Sequence, residues 1–424
     1  MTTEATKGPA TSGASAHLDG DRKPKRARII GLDGIRGLLC LSIAITHVTG
    51  YYTKSTADTW KTNLFGFSLV YFFVLSGFLL FLPYVRNLVA RSHMPYVRDY
   101  AIHRIARIMP AYLAIFLVVN FVLQLSYVDN AALLPDDARS GIGMITDPME
   151  LLANLALVQT YIPAYIQTGI GPSWSLTLEY AFYLTLPLAG WAIFRMRSRS
   201  GRHPFAVAML APAILLGIGL VGRALIPVVN RYAGTSDFIL LNWGPNIAAV
   251  FTRSILTNAD NFAMGMFAAI VFVAIERDTL SERASRRVRA FSAAAILPVL
   301  VVGALMFAVA VSFVTAVVGV VAALMILVVV VPLARGEKSK LARALDIRPI
   351  RYVGEISLSA YLWHFPLLLL LGQLGWMAGD TLPGMLYNIV IVLAATILAA
   401  TVTYYLVEKP AMKYARAKTA RMPR

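Results

Sequence analysis

Arg36 and His47 lie in one apolar run, GLDGIRGLLCLSIAITHVTGYY. On a helix their spacing leaves them about 20° apart around the axis and about 16 Å apart along it. One face therefore carries a guanidinium suited to an anion and an imidazole suited to proton transfer. Glu179, in PSWSLTLEYAFYLTLPL, falls about 7.5 Å from the end of its run, and His47 about 6 Å from the matching end of its own. A carboxylate at that depth would fix the imidazole tautomer and raise its basicity, the arrangement that deprotonates a hydroxyl nucleophile. His47 and Glu179 are thus the expected catalytic pair. Charges inside apolar runs cost roughly 2.5–3.5 kcal/mol at a bilayer centre and usually serve function.

Three further sets of residues have the chemistry of binding. Arg104 and Arg107, one turn apart in VRDYAIHRIARIMPAYL, stand just before the third apolar run and could dock a polyanionic cofactor such as coenzyme A, with Arg36 beside its path. His364 follows Tyr361 and Trp363 in GEISLSAYLWHFPLLLLL, and Pro366 predicts a local kink that opens a cavity for substrate. The polar stretch 228–258, with Asn230, Arg231, Tyr232, Asn242, Trp243 and Asn246, could read a sugar. Trp60, Trp174 and Trp376, close to the ends of runs, read as interfacial anchors. No Gly-rich phosphate loop, G-x-G-x-x-G or H-E-x-x-H occurs, so nucleotide hydrolysis, dinucleotide chemistry and a zinc protease site lack a motif, and no metal is expected.

The elements that must position these residues are membrane helices. With 58% hydrophobic and 14% charged residues, the composition describes a chain whose solvent is lipid. The apolar runs are continuous, which favours helices over the alternating strands of a barrel. About ten spans are expected, near 29–51, 63–83, 108–126, 174–194, 204–226, 259–275, 291–311, 312–334, 354–373 and 385–407. The run 149–162 is too short and polar to cross and reads as re-entrant or interfacial. The single cysteine, Cys40, supports no disulfide framework.

Alternating the spans from a cytoplasmic amino end puts Arg86 to Arg107, Arg195 to Arg202, Arg277 to Arg289, Arg335 to Arg351 and Lys409 to Arg424 on the inside. Lys54, Lys61, Arg139, Arg231 and Arg253 are left outside, beside the acidic loop of Asp129, Asp136, Asp137, Asp147 and Glu150. By the positive-inside rule both ends are cytoplasmic, so the net charge of +17 reflects topology and contact with membrane lipid, and nucleic acid is not implied. Residues 1–28 read as a disordered basic tail, 29–408 as the membrane domain and 409–424 as a second basic tail. No internal or inverted repeat is visible, which disfavours a transporter.

LDGIRG followed by His47, then FFVLSGFLL, RIARIMPAY, PSWSLTLEYAFY, GEISLSAYLWHFPL and VEKPAMKY, occur in that order over about 29–415. In this the chain resembles the acyltransferase-3 family of membrane O-acyltransferases. The family pattern of a basic residue, ten others and a histidine falls on Arg36 and His47, and its R-x-x-R on Arg104 and Arg107. Similar segments surround Glu179, and Arg253 with Phe262 and Gly265 in TRSILTNADNFAMG, which places Arg253 with the substrate residues Tyr361 and His364. The resemblance implies transfer of an acetyl or other short acyl group from acyl-CoA to a hydroxyl, mostly of carbohydrate. Some members carry an extra hydrolase-like domain, and the sequence ends soon after VEKPAMKY, as in a single-module version.

The expected reaction has acyl-CoA entering from the cytoplasm and His47 acting as base, with Arg36 or Ser76 at the oxyanion; an acyl-histidine intermediate is a variant. The acceptor stays open between an envelope carbohydrate, a glycolipid and a macrolide-type metabolite. A small-solute transporter is the rival class, separated from the enzyme by whether acyl-CoA is consumed.

Overall fold

The computed structural model describes residues 28–134, 140–199, 201 and 203–422. The expected disordered tail, apart from Arg28, lies outside the described residues, as do Asp136, Asp137, Arg139 and Arg202. The chain is all-α. The helices used below are α1 (Leu32–Tyr52), α2 (Ser68–Val89), α3 (Val97–Leu117), α4 (Pro148–Leu155), α5 (Trp174–Arg199), α6 (Leu210–Asn230), α7 (Ala259–Glu276), α8 (Glu282–Val309), α9 (Val314–Ala334), α10 (Arg348–Glu355), α11 (Ser357–Gln373), α12 (Leu382–Thr403) and α13 (Lys409–Ala420).

Among the described residues, eight helices are long and apolar enough to cross a membrane, or nine if the bent pair α10–α11 is one span. Every expected span falls on one of these or on α5, a 26-residue helix that its polar positions keep out of the count. The run 149–162 overlaps the eight-residue α4, about 12 Å long by its rise and far too short to cross.

Three expectations are corrected. The third helix starts at Val97, not near 108, so Arg104 and Arg107 sit on the helix itself and project into the bundle. Pro366 lies inside the continuous α11; the break is at Ile356, where α10 and α11 meet at 76°. Residues 409–420 are helix, not tail, and α13 docks on α3, with Ala415 buried and Thr419 Oγ1 3.2 Å from His103 Nε2.

Close backbone approach sets the geometry near Arg36. A Cβ at Gly34 would overlap the Leu345 carbonyl, and one at Gly354 the Asp33 carbonyl, so the glycines on either side of this crossing let α1 lie directly against α10 and the turn before it. Gly77 and Gly265 do the same for α2 and α7, each facing the other helix's backbone. Such small-residue contacts are what bring helices together in lipid, where apolar burial supplies little drive. The non-helical stretch before α5 is held by antiparallel pairing of Ser126–Tyr127 with Ile142–Gly143 and by bonds between Tyr127 and Gly169.

A second device ties the bundle laterally. Arg223 of α6, 5% exposed in its side chain, forms an ion pair with the fully buried Asp260 of α7, and its remaining donors reach Ser312 O and Thr315 Oγ1. Both charges lie inside spans and are paired and hydrogen-bonded, as buried charges must be.

Candidate active site

The buried stripe Cys40 and Ile43, continuing the line from Arg36 to His47, packs α1 against Ile356 at the break, Ala360 and Tyr361 of α11, and Ala400 and Tyr404 near the end of α12. That packing places one end of α1 at a cavity of about 440 Å³. Arg36, Arg104, Arg107 and Arg416 enter it from α1, α3 and α13, and Glu179, Ser76, Ser175 and Tyr361 line its deeper part. A cavity of this size with a few convergent polar groups is the usual form of a small-molecule site.

The four arginines are not equivalent. Arg107 is ion-paired at 2.5 Å with Glu408, which is fully buried and also accepts from Ser359 Oγ at 2.8 Å. Arg107, expected with Arg104 to dock a polyanionic cofactor, lines the cavity but already holds a protein carboxylate through Nη1. Arg104 has no carboxylate partner among the described residues and lies over the Tyr183 ring at 5.8 Å. Arg36 has only a long contact, 3.9 Å, to Asp33. Arg36 and Arg104, with Arg416, which forms no ion pair with a described residue, are thus the cations with coordination to offer an anion. Glu408 escaped the sequence reading, although an acid at the margin of the last apolar run is the signal that could have found it.

Glu179 does not meet His47 in the structure. Its Oε1 accepts from Ser76 Oγ at 2.9 Å and from Tyr183 Oη at 2.6 Å, so the expected carboxylate–imidazole pair is replaced by a carboxylate–hydroxyl cluster. Equal depth along two helices did not bring the two side chains to the same azimuth. Ser76 is a partner of Glu179, not a free oxyanion donor.

His47 instead faces His364. The two rings are 5.1 Å apart, edge to face, and the Phe365 ring flanks His47 at 5.3 Å. His364 is fully buried, and its Nδ1 lies 2.5 Å from the Tyr361 carbonyl oxygen. A carbonyl only accepts, so Nδ1 carries the proton and Nε2 the lone pair. That Nε2 and His47 Nδ1 are both buried without a hydrogen-bond partner. Buried ring nitrogens of this kind have bonding capacity left for a water or a reacting hydroxyl.

Between cavity and histidines stands a small closure. Tyr361 Oη donates to the Pro172 carbonyl at 2.8 Å and is 2.8 Å from Ser175 Oγ. His47 and His364 are not among the cavity's lining residues, and His364 is one turn beyond Tyr361. Tyr361 joins α11 to the start of α5 and bounds the cavity.

At the opposite end of the bundle from Arg36, Arg253 sits against two indoles, 3.2 Å from the Trp243 centroid and 4.8 Å from that of Trp174. Trp174 also meets Phe73 and Trp243, so it is a packing partner within the protein; Trp60 and Trp376, 60% and 56% exposed, keep the exposure of anchors. Among the described residues no group of three or more His, Cys, Asp or Glu could hold a metal ion.

The class of site is an arginine-lined cavity among apolar helices, with two facing histidines one helical turn from its Tyr361 wall. The acyltransferase domain model matches residues 29–407, and the chain belongs to the acyltransferase-3 family. It is similar to the O-acetyltransferase OatA of Staphylococcus aureus, 22% identical over 400 residues covering 90% of this chain and 57% of that one. It is also similar to the putative peptidoglycan O-acetyltransferase YrhL of Bacillus subtilis, 25% identical over 90% of this chain and 54% of that one. The acyltransferase MdmB of Streptomyces mycarofaciens is 30% identical over 172 residues, 39% of this chain and 40% of that one. The chain therefore spans little more than half the length of OatA and YrhL. No solved structure matches it.

Proposed function

We propose that the chain is a membrane O-acyltransferase, both of its ends cytoplasmic, that moves an acetyl or other short acyl group from acyl-CoA to a hydroxyl of an envelope carbohydrate or glycolipid. The observation that carries this reading is the cavity where Arg36 and Arg104 lack a close protein carboxylate, one helical turn short of the His364–His47 pair. The acyl-CoA phosphates are held at Arg36 and Arg104, and the arm runs inward past Glu179 to Tyr361. Domain membership over 29–407 and the names of OatA and YrhL support acetyl transfer and a carbohydrate acceptor.

In this mechanism His47 takes the proton of the acceptor hydroxyl as its oxygen attacks the thioester carbonyl. The C–S bond then breaks, and the thiolate receives that proton to leave as the free thiol. His364 has its Nδ1 fixed by the Tyr361 carbonyl, and a rotation of the His47 ring that brings Nδ1–H onto the unpartnered His364 Nε2 would leave His47 Nε2 as the basic nitrogen. His364 is a positioning residue, in the role first expected of Glu179. The Tyr361–Ser175–Pro172 bonds must open for the acyl group to pass.

The test is thiol release from acetyl-CoA and longer acyl-CoAs by the purified chain in lipid, with a panel of sugar and glycolipid acceptors. Acceptor-dependent release that is lost in His47→Ala and weakened in Arg104→Ala is expected. A wild-type protein that neither binds nor consumes any acyl-CoA would end this reading.

A further inference from the structure

Arg253 is anomalous in a way the donor site does not absorb. It lies between α6 and α7, and among the described residues its side chain forms no ion pair and donates to no protein acceptor. Its Nε is wholly removed from solvent, yet the side chain as a whole keeps partial exposure. Trp243 covers one face of the guanidinium and Trp174 closes the side, the two indoles meeting at 74°. Aromatic faces stabilise a cation without consuming its N–H donors. The result is a guanidinium held in position with its hydrogen-bonding edge unspent.

The surroundings are rigid. Asn130 Nδ2 donates to the Trp243 carbonyl at 2.9 Å, Asn246 caps the helix leading to Arg253, and Asn258 Nδ2 bridges back to Thr252 O and Ser254 O. The corner also touches the donor cavity's wall: Trp174 precedes Ser175, which lines that cavity, and stands edge-on to Phe73, which lines it too. A ligand at Arg253 would thus sit beside the approach to Tyr361 from the end opposite the Arg36 cluster.

We propose that Arg253, in the Trp174–Trp243 corner, is the subsite for a carboxylate carried by the acceptor sugar. The planar edge of a guanidinium matches a carboxylate in a two-bond fork, and the indoles fix the plane in advance. The proposal rests on the acyltransferase reading for the ligand's being the acceptor; binding itself requires no turnover. A lipid phosphate shares the oxyanion chemistry and is the rival source.

The experiment titrates the indole fluorescence of the full chain in nanodiscs of uncharged lipid with glucuronate and, separately, with its neutral amide, glucuronamide. Wild type should show a saturable response to glucuronate that is at least tenfold weaker for the amide. Arg253→Gln should abolish the difference between acid and amide, and Arg253→Lys should restore part of it at an unchanged unfolding temperature. Equal affinity for acid and amide in wild type, or an unaltered glucuronate titration in Arg253→Gln, would overturn the subsite. A tenfold loss of glucuronate affinity when phosphatidylglycerol replaces the uncharged lipid would assign the corner to a headgroup and overturn the acceptor assignment. Since no acyl-CoA is present, a silent thiol-release assay and a failed titration are separate results.

Discussion

The ring of His364 stands 5.1 Å from that of His47, edge to face, with its Nδ1 tied to the Tyr361 carbonyl and its Nε2 left without a partner. Loss of a general base lowers rates by roughly 10²–10⁴-fold, and His47→Ala is expected in that range. His364→Ala should lower kcat while leaving the KM for acyl-CoA in place, and His364→Gln, whose amide oxygen can stand near the Nε2 position, should recover part of it. Parallel changes in kcat and KM for both variants would make His364 a packing residue only.

Arg104 and Arg107 should separate cleanly. Arg104→Ala removes a cation with no carboxylate partner and should raise the KM for acyl-CoA with little change in thermal stability. Arg107→Ala leaves the buried Glu408 uncompensated, a change that costs about 3–5 kcal/mol in comparable pairs. Unfolding curves in detergent should show the loss, and Arg107→Ala combined with Glu408→Gln should regain part of it.

The Arg223–Asp260 pair invites the same measurement without the kinetic consequence. Asp260→Ala should destabilise by about 3–5 kcal/mol, while the turnover of the fraction that remains folded stays near that of wild type. A large fall in turnover per folded molecule would instead place the pair in the reaction.

Asp380 gives a pH-dependent contact outside the spans. Its carboxylate accepts from Ser55 N, Thr56 N and Thr56 Oγ1, and these bonds hold its pKa below the ordinary 3.8. A carboxyl depressed by folding contributes fully above its unfolded pKa and loses that contribution as pH falls through the lower, folded one. Hydrogen exchange at the Ser55 and Thr56 amides should stay protected above about pH 4 and speed up below it. In Asp380→Asn that acid-dependent step should be absent.

Opening the Tyr361 closure has its own signature. Tyr361→Phe removes the hydroxyl that joins Pro172 and Ser175, and should raise acceptor-independent hydrolysis of acyl-CoA several-fold over wild type, read as thiol release without acceptor.

The helices were legible because their apolar runs are long and uninterrupted: all ten expected spans fall on long helices, and Arg36, Arg104 and Arg107 share one cavity as their positions along the runs imply. What depth along a helix could not supply was azimuth. Glu179 and His47 match in depth, yet Glu179 turns to Ser76 and Tyr183 while His47 turns to His364, a residue far along the chain. Pairings such as Arg107 with Glu408 and Arg223 with Asp260 are likewise set by which helices touch, and the glycine contacts that decide this appear in sequence only as isolated residues. The placement of Arg253 beside Trp174 joins a loop to a helix start that no local pattern connects.

The Tyr361–Ser175–Pro172 closure also bears on the cell's energy supply. In a membrane that stores a potential, every elementary charge that slips across dissipates about 2.3 kcal/mol per 100 mV. A polar hollow in such a protein leaks if it opens through to the other side, and the bonds among Tyr361, Ser175 and Pro172 tie together one wall of this one. In sealed vesicles carrying an imposed potential, Tyr361→Phe should therefore show a faster decay of that potential than wild type, a cost of loosening this site that thiol release would never register.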